Sequence, residues 1–351
     1  VHFDWQQSEP LHAALCLPAV VVPLALGTHY GYPGTGVLMA GGAMCVGFGS
    51  FQKPLIWRWG PMLAAAVGIA VSTSLGTIFR DHPVIFGAIV VLWAFLYGLA
   101  NAMGDAASWV GQQCCVYLVV SAAAPASLDI SHSMLVQGAL RGSGILAGGL
   151  LQMFTVLVLW RWVPRSAATF TDPNFNSERL RPQQVWWEIT QRTASFHFAV
   201  RMAVTALASV LVFQRANFNN AYWIMMTALL IPKPEFFNTS VRTILRLAGT
   251  LLGAVVCTFL IVLVHPAGET LSVLVAIFLF ACYCVANVNY GVFAVCITGY
   301  IVFILAIVHA PTSATIAHRV EATLLGGAVA LIVHGVFQAV DRIRGKVVRG
   351  G

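Results

Sequence analysis

Charge is scarce in this sequence: Asp, Glu, Lys and Arg supply 9% of its 351 residues, against about a quarter in soluble domains. A soluble chain of that length needs a polar skin over one or two cores, and these charges are too few to make one. Among the eight cysteines there is no Cys-x-x-Cys, and the sequence has no His-Glu-x-x-His and no Walker-type glycine loop. Those absences argue against a disulfide or zinc framework, a metalloprotease centre and direct coupling to ATP. Cys114-Cys115 and Cys282-Tyr283-Cys284 lie inside apolar runs, where cysteine behaves as a small hydrophobe. His12, His197, His318 and His334 are scattered without a Ser or Cys at a telling spacing, so neither an enzyme site nor a metal or other cofactor is indicated.

What the sequence has is apolar length. Hydrophobic residues make up 59% and the mean hydropathy is +0.82. Twelve candidate membrane spans follow, near 11–28, 34–50, 57–79, 84–103, 106–124, 138–162, 197–214, 218–231, 241–264, 270–287, 290–309 and 317–339. The fifth is weak, and the eighth is short because Pro232-Lys233-Pro234 ends it. Several runs approach the roughly 20 residues that cross a bilayer as a helix. The first run is preceded by Asp4 and Glu9, with no basic stretch or small-residue cleavage site, and so reads as a retained helix, not a signal peptide. The net charge of +7 comes from cations between the runs and at the C-terminus. That pattern fits loops that set membrane topology better than a nucleic-acid surface.

A polar stretch from Pro164 to Thr193 divides the chain. The predicted organisation is a first six-helix half (1–163), a cytoplasmic linker (164–195), a second six-helix half (196–340) and a basic cytoplasmic tail (341–351). The halves look like repeats. His12 and His197 open their first helices, Lys53-Pro54 and Lys233-Pro234 end short second runs, and Arg58 and Arg246 begin third runs. Ala100-Asn101 recurs as Ala286-Asn287, and Gln137-Gly-Ala-Leu-Arg-Gly as Glu321-Ala-Thr-Leu-Leu-Gly, all at offsets of 180 to 188 residues. Internal symmetry of this kind marks many transporter folds. The expected architecture is all-α and polytopic, two parallel six-helix repeats about a pseudo-two-fold axis. The basic tail and the basic loops place both termini in the cytoplasm.

In the second half, Tyr222-Trp-Ile-Met-Met-Thr, Thr239 with Arg242, Arg246-Leu-Ala-Gly-Thr-Leu-Leu-Gly, Asn289-Tyr290 through Ile297-Thr298, and Arg319-Val-Glu-Ala-Thr-Leu-Leu-Gly-Gly-Ala occur in order. As a set they resemble the fusaric acid resistance family, with the first half fitting as a diverged repeat. A similar Trp-x-x-x-Thr and Arg-x-x-Gly-Thr pattern occurs in plant aluminium-activated malate transporters. The family resemblance implies a bacterial inner-membrane protein that exports aromatic carboxylic acids as an antiporter driven by protons. The plant resemblance implies a passive organic-anion channel with a pore between the halves. The sizeable cytoplasmic domain usual in larger family members has no counterpart here beyond the linker and tail. Expected partners are a small organic anion, protons and the bilayer, with no nucleic acid, in a monomer or homodimer.

Ionisable groups inside a bilayer are costly, so each calls for a reason. Asp105 and Glu321 fall in or at the edge of apolar runs and are the candidates to carry a coupled proton. The competing readings are a loop residue for Asp105 and a structural pair with Arg319 for Glu321. Arg201, Arg246, Arg242 and Arg141 could hold a carboxylate, because a guanidinium stays charged and binds carboxylates through two parallel bonds. Snorkelling to headgroups is the alternative, chiefly for Arg242. Trp223, Phe236, Phe237 and Tyr290 could stack on an aromatic ring or form an interfacial belt. Asn101 and Asn287 need hydrogen-bond partners within the membrane, from another helix or from substrate. Gly144-x-x-x-Gly148 and Gly249-x-x-x-Gly253 read as close helix contacts.

Overall fold

The protein was analysed as a computed structural model, which describes residues 3–51, 59–123, 133–162, 187, 189–191, 193–216, 220–234, 236–308 and 312–349. Most of the predicted linker, with Lys53-Pro54 and Arg58, lies outside the described residues, as do the side chains of Phe236 and Phe237.

Every regular element among the described residues is helical. The first half contains α1 (Pro10–Cys16), α2 (Pro18–His29), α3 (Pro33–Gly49), α4 (Trp59–Phe79), α5 (Pro83–Ala100), α6 (Asp105–Ala123) and α7 (Met134–Leu159). The second contains α8 (Ala194–Arg215), α9 (Tyr222–Leu230), α10 (Phe236–Val264), α11 (Glu269–Val285), α12 (Tyr290–Ile307) and α13 (Thr312–Arg349). Proline opens α1, α2, α3 and α5, where its fixed φ suits the first turn and its missing N–H costs nothing. Asn289 caps α12, its side chain accepting from the amides of Gly291 and Val292 at 2.8 and 3.3 Å.

All twelve predicted spans fall on helices, with α1 and α2 sharing the first across the Leu17-Pro18 break. Eight helical stretches are long and apolar enough to cross a membrane: Trp5–His29, Trp59–Phe79, Pro83–Met103, Met134–Leu159, Ala194–Arg215, Asn238–Val264, Tyr290–Ile307 and Ser313–Val340. α11 is apolar but shorter, at 17 residues. The chain is a multi-pass membrane protein. Val255, Phe259, Val262, Ile332 and Val336 are more than half exposed on α10 and α13, an outer surface suited to lipid and not to water.

In the first half α2 packs on α3, α3 and α4 both on α7, α4 also on α6, and α5 on α6. In the second, α8 packs on α9, α9 and α10 both on α13, α10 also on α12, and α11 on α12. The cores do not respect the division of the chain. One unites α1 to α4 and α7 with α11 and α12; the other unites α5 and α6 with α8, α9 and Ala322 of α13. α5 packs closely on α8, where a Cβ on Gly98 would collide with Ala199.

The short helix α9 is the irregular element. Nine residues rise roughly 13 Å, well under a bilayer core. Its first-half counterpart in the sequence pattern, α3, runs for 17 residues, so the two short runs are not equally short. Broken backbone inside a membrane needs protein partners for its polar groups, and α9 finds them. The Gln112 amide of α6 donates to the carbonyls of Leu229 and Leu230 at 3.3 and 3.1 Å, and to the Tyr97 hydroxyl at 3.2 Å. The Thr239 hydroxyl accepts from the Lys233 amide at 2.9 Å and donates to its carbonyl at 3.2 Å. Gln112→Leu strips the cap from two buried carbonyls and is expected to lower stability by about 1–3 kcal/mol. Thermal unfolding in detergent checks this, and an unchanged midpoint would remove the capping role.

Candidate functional site

The break after α9, the first turns of α10 and one position of α13 bring four cations into one file. Lys233, in the non-helical Pro232–Pro234 segment, is half-buried and electrostatically coupled to Arg242, Asp105 and Tyr290. Burial, then the Arg242 guanidinium beside it, push the Lys233 ammonium below the ordinary lysine value, with Asp105 and Tyr290 opposing. Arg242 lies over the Tyr290 ring at 4.0 Å from its centroid. Arg242 and Arg246 both lie within electrostatic reach of Tyr290, as their spacing of one helical turn on α10 allows.

Arg246 is 3% exposed and Arg319, from α13, is 1% exposed. The two are coupled to each other, and Tyr222 and Tyr290 lie within electrostatic reach of Arg319. Arg319 sits 5.4 Å from the Trp223 ring centroid, and its Nε donates to the Thr298 hydroxyl at 3.5 Å. Its Nη2, and the Nε atoms of Arg242 and Arg246, are buried without a hydrogen-bond partner among the described residues. Exposure falls along the series, from half-buried Lys233 and Arg242 to buried Arg246 and Arg319.

A buried charge is ordinarily paired, and removing the partner of one costs several kcal/mol. Among the described residues no ion pair joins these cations to a carboxylate; Asp105 stands at the outer end beside Lys233. Buried guanidinium groups with idle donors can hold a carboxylate, and the aromatic faces beside them can stack on a flat ring.

The candidates read from sequence divide accordingly. Arg242, Arg246, Trp223 and Tyr290 are brought together in the file. Arg201 is not: it is half-buried on α8, 5.9 Å from the Phe198 ring centroid and coupled to the buried His334. Arg141 is 2% exposed on α7 and donates to the Ser121 carbonyl at 3.2 Å, with Arg80 within electrostatic reach. Asn101 and Asn287 lie at helix ends, in the turn after α5 and in the turn after α11, where Asn287 is exposed. Neither is in the middle of a span, so the requirement for a partner inside the membrane does not apply to them. Asp105 is the exposed first residue of α6. Glu321 is exposed on α13 and forms no ion pair with Arg319.

Arg319 is the candidate that sequence reasoning missed. The signal was present: Arg319, Ala322, Thr323, Gly326, Ala330 and His334 recur at helical spacing and are all buried. A Cβ on Gly326 would press into the Ile224 carbonyl of α9, so this small-residue stripe marks the inward face. A separate groove lies elsewhere. It measures about 610 Å³ between α2 and α11, is lined by Leu17, Val21, Ala25, Val273 and Phe280, and has Glu269 as its charged lining residue. It is apolar, with no cation in its lining.

The family model described as fusaric acid resistance protein-like matches residues 203–333. Over this segment the chain is similar to that family. The segment holds Trp223, Lys233, Arg242, Arg246, Tyr290 and Arg319, the whole file with its aromatic faces. An uncharacterised protein of Haemophilus influenzae is 28% identical over 145 residues, 41% of this chain and 20% of that protein. The uncharacterised protein ORF2 of Neisseria gonorrhoeae is 32% identical over 79 residues, 22% of this chain and 18% of its own. The inner membrane protein YccS of Escherichia coli is 34% identical over 64 residues, 18% of this chain and 9% of that one. The matched part thus spans a fifth or less of each of these proteins. No solved structure matches the chain.

Proposed function

We propose that the protein is a secondary transporter that exports small organic anions, aromatic carboxylic acids foremost, across the bacterial inner membrane in exchange for protons. The observation that carries this reading is the file of Lys233, Arg242, Arg246 and Arg319, with idle guanidinium donors in the buried part. The anion enters from the cytoplasmic side at Lys233 and Arg242, passes the Tyr290 ring and is held between Arg246 and Arg319 with its own ring against Trp223. The family match over residues 203–333 supports an exporter, and the inner-membrane relative supports the location.

The shared order of helix neighbours supports treating the two halves as parallel six-helix repeats, with both termini in the cytoplasm. In that arrangement the repeats rock about the file, which is exposed first to one side and then to the other. Purified protein in liposomes is expected to accumulate benzoate only when a pH gradient is imposed. Benzoate movement indifferent to the gradient, accompanied by single-channel currents, would replace the coupled exporter with a passive anion channel.

A further inference from the structure

His12 of α1 is 2% exposed, and its ring is held at both nitrogens. Nδ1 lies 2.8 Å from Glu9 Oε2 and Nε2 lies 2.7 Å from Ser50 Oγ. The Ser50 hydroxyl donates to the Gly47 carbonyl at 2.6 Å. Counting hydrogens then fixes the state of the ring. A serine hydroxyl has one hydrogen, and in this arrangement it points at Gly47. Nε2 must therefore carry a hydrogen and donate to Oγ. Nδ1 faces a carboxylate oxygen at 2.8 Å, a separation two acceptors reach only with a proton between them. As arranged, the Glu9–His12 pair holds one proton more than an ionised glutamate and a neutral imidazole.

We propose that Glu9 and His12 are the proton-binding site of this transporter, the role first expected of Asp105 and Glu321, and that Ser50 responds to its occupancy. The inference rests on the transport reading above. When the proton leaves, the remaining ring hydrogen stays on Nδ1 toward Glu9, and Nε2 becomes an acceptor. The Ser50 hydroxyl then turns from Gly47 to Nε2 and strips a partner from the last turn of α3.

That turn lies where the two halves of the chain meet. Phe51 stacks on His12 at 3.8 Å and on Tyr283 of α11 at 5.7 Å, and the Tyr283 hydroxyl donates to the Met44 carbonyl at 2.9 Å. α1 packs directly on α11, and the Asp4 amide donates to the Val288 carbonyl at 3.4 Å. A change at the end of α3 therefore reaches the contact that rocking of the halves must remake. Around the ring, Glu9 and Cys16 come from α1, Ser50 and Phe51 from the end of α3, Trp160 from the turn after α7, and Tyr283 from α11. Among the described residues around the ring, Glu9 carries a full charge, and Arg161 beside Trp160 is exposed. A carboxylate–imidazole–hydroxyl order also serves hydrolases. Here Ser50 is fully buried with its hydrogen committed to Gly47, so it is placed as a relay and not as a nucleophile.

The test uses the full chain in liposomes with labelled benzoate. Wild type is expected to show gradient-driven accumulation. Glu9→Gln and His12→Gln should lose it at least tenfold while still exchanging benzoate across the bilayer at equal pH, which also shows that they fold. Gradient-driven accumulation retained in both variants would overturn the proton site and leave the transport reading standing. No gradient dependence in wild type would overturn the transport reading itself. A cargo-independent measurement is nitrogen-15 NMR of the histidine rings. An imidazolium signal present at neutral pH and lost in His12→Gln is expected, and neutral signals throughout would overturn the assignment.

Discussion

Arg319→Met is expected to stabilise the protein and to abolish anion transport in the same molecule. Arg319 is 1% exposed, its Nη2 has no partner among the described residues, and the cation within its electrostatic reach is another buried arginine. Replacing buried charge with an apolar side chain of similar length has been stabilising by roughly 1–4 kcal/mol in other proteins. Removing one partner of a buried charge pair costs about 2–5 kcal/mol, so benzoate affinity should fall by about 30-fold or more. Arg319→Lys keeps the charge but loses the planar fork, and should fall between wild type and Arg319→Met. Thermal unfolding and benzoate binding, measured on the same preparations, check both halves of the prediction. A lower unfolding temperature with unchanged binding would make Arg319 a structural residue.

The second large effect contrasts two glycines of one motif. A Cβ on Gly148 would drive into the Met39 backbone, where α7 crosses α3, whereas one on Gly144 meets the Leu38 side chain at an ordinary 3.5 Å. Gly148→Ala forces the helices apart and should cost at least about 1–3 kcal/mol, the usual range for overpacking. Gly144→Ala should be neutral or slightly stabilising, since alanine is the better helix former by about 1 kcal/mol. Unfolding temperatures of the two variants check this, and equal temperatures would contradict the close crossing.

The same glycines show how far the sequence could be read. A small-x-x-x-small spacing announces that two helices approach, but which glycine sits at the crossing depends on the partner's position. Both members of Gly249-x-x-x-Gly253 press on α12, against Gly291 and Ala294 at one end and Thr298 at the other, while in the first-half motif the tight contact is at Gly148. The helices were legible because a run of apolar residues needs no partner to be recognised. Pro232 and Pro234 made the break after α9 legible as well, whereas its cap, Gln112, lies over a hundred positions away.

The alternative reading of Glu321 as the ion-pair partner of Arg319 fails for a geometric reason. Glu321 follows Arg319 by two residues, about 200° around a helix, so the two cannot share a face. With Arg319 turned inward, Glu321 is left outside. The Glu9–His12 spacing of three was visible in the sequence, but Ser50, 38 residues on, was not. Without that hydroxyl and the Gly47 carbonyl behind it, nothing in the spacing indicated an extra proton.

The central claim is that the buried arginines form an anion receptor, and calorimetric titration of benzoate and of uncharged benzamide tests it most directly. Saturable benzoate binding to wild type, none to Arg246→Met, and no benzamide binding to either is the predicted result. Equal affinity for benzoate and benzamide, or benzoate binding undiminished in Arg246→Met, would contradict it.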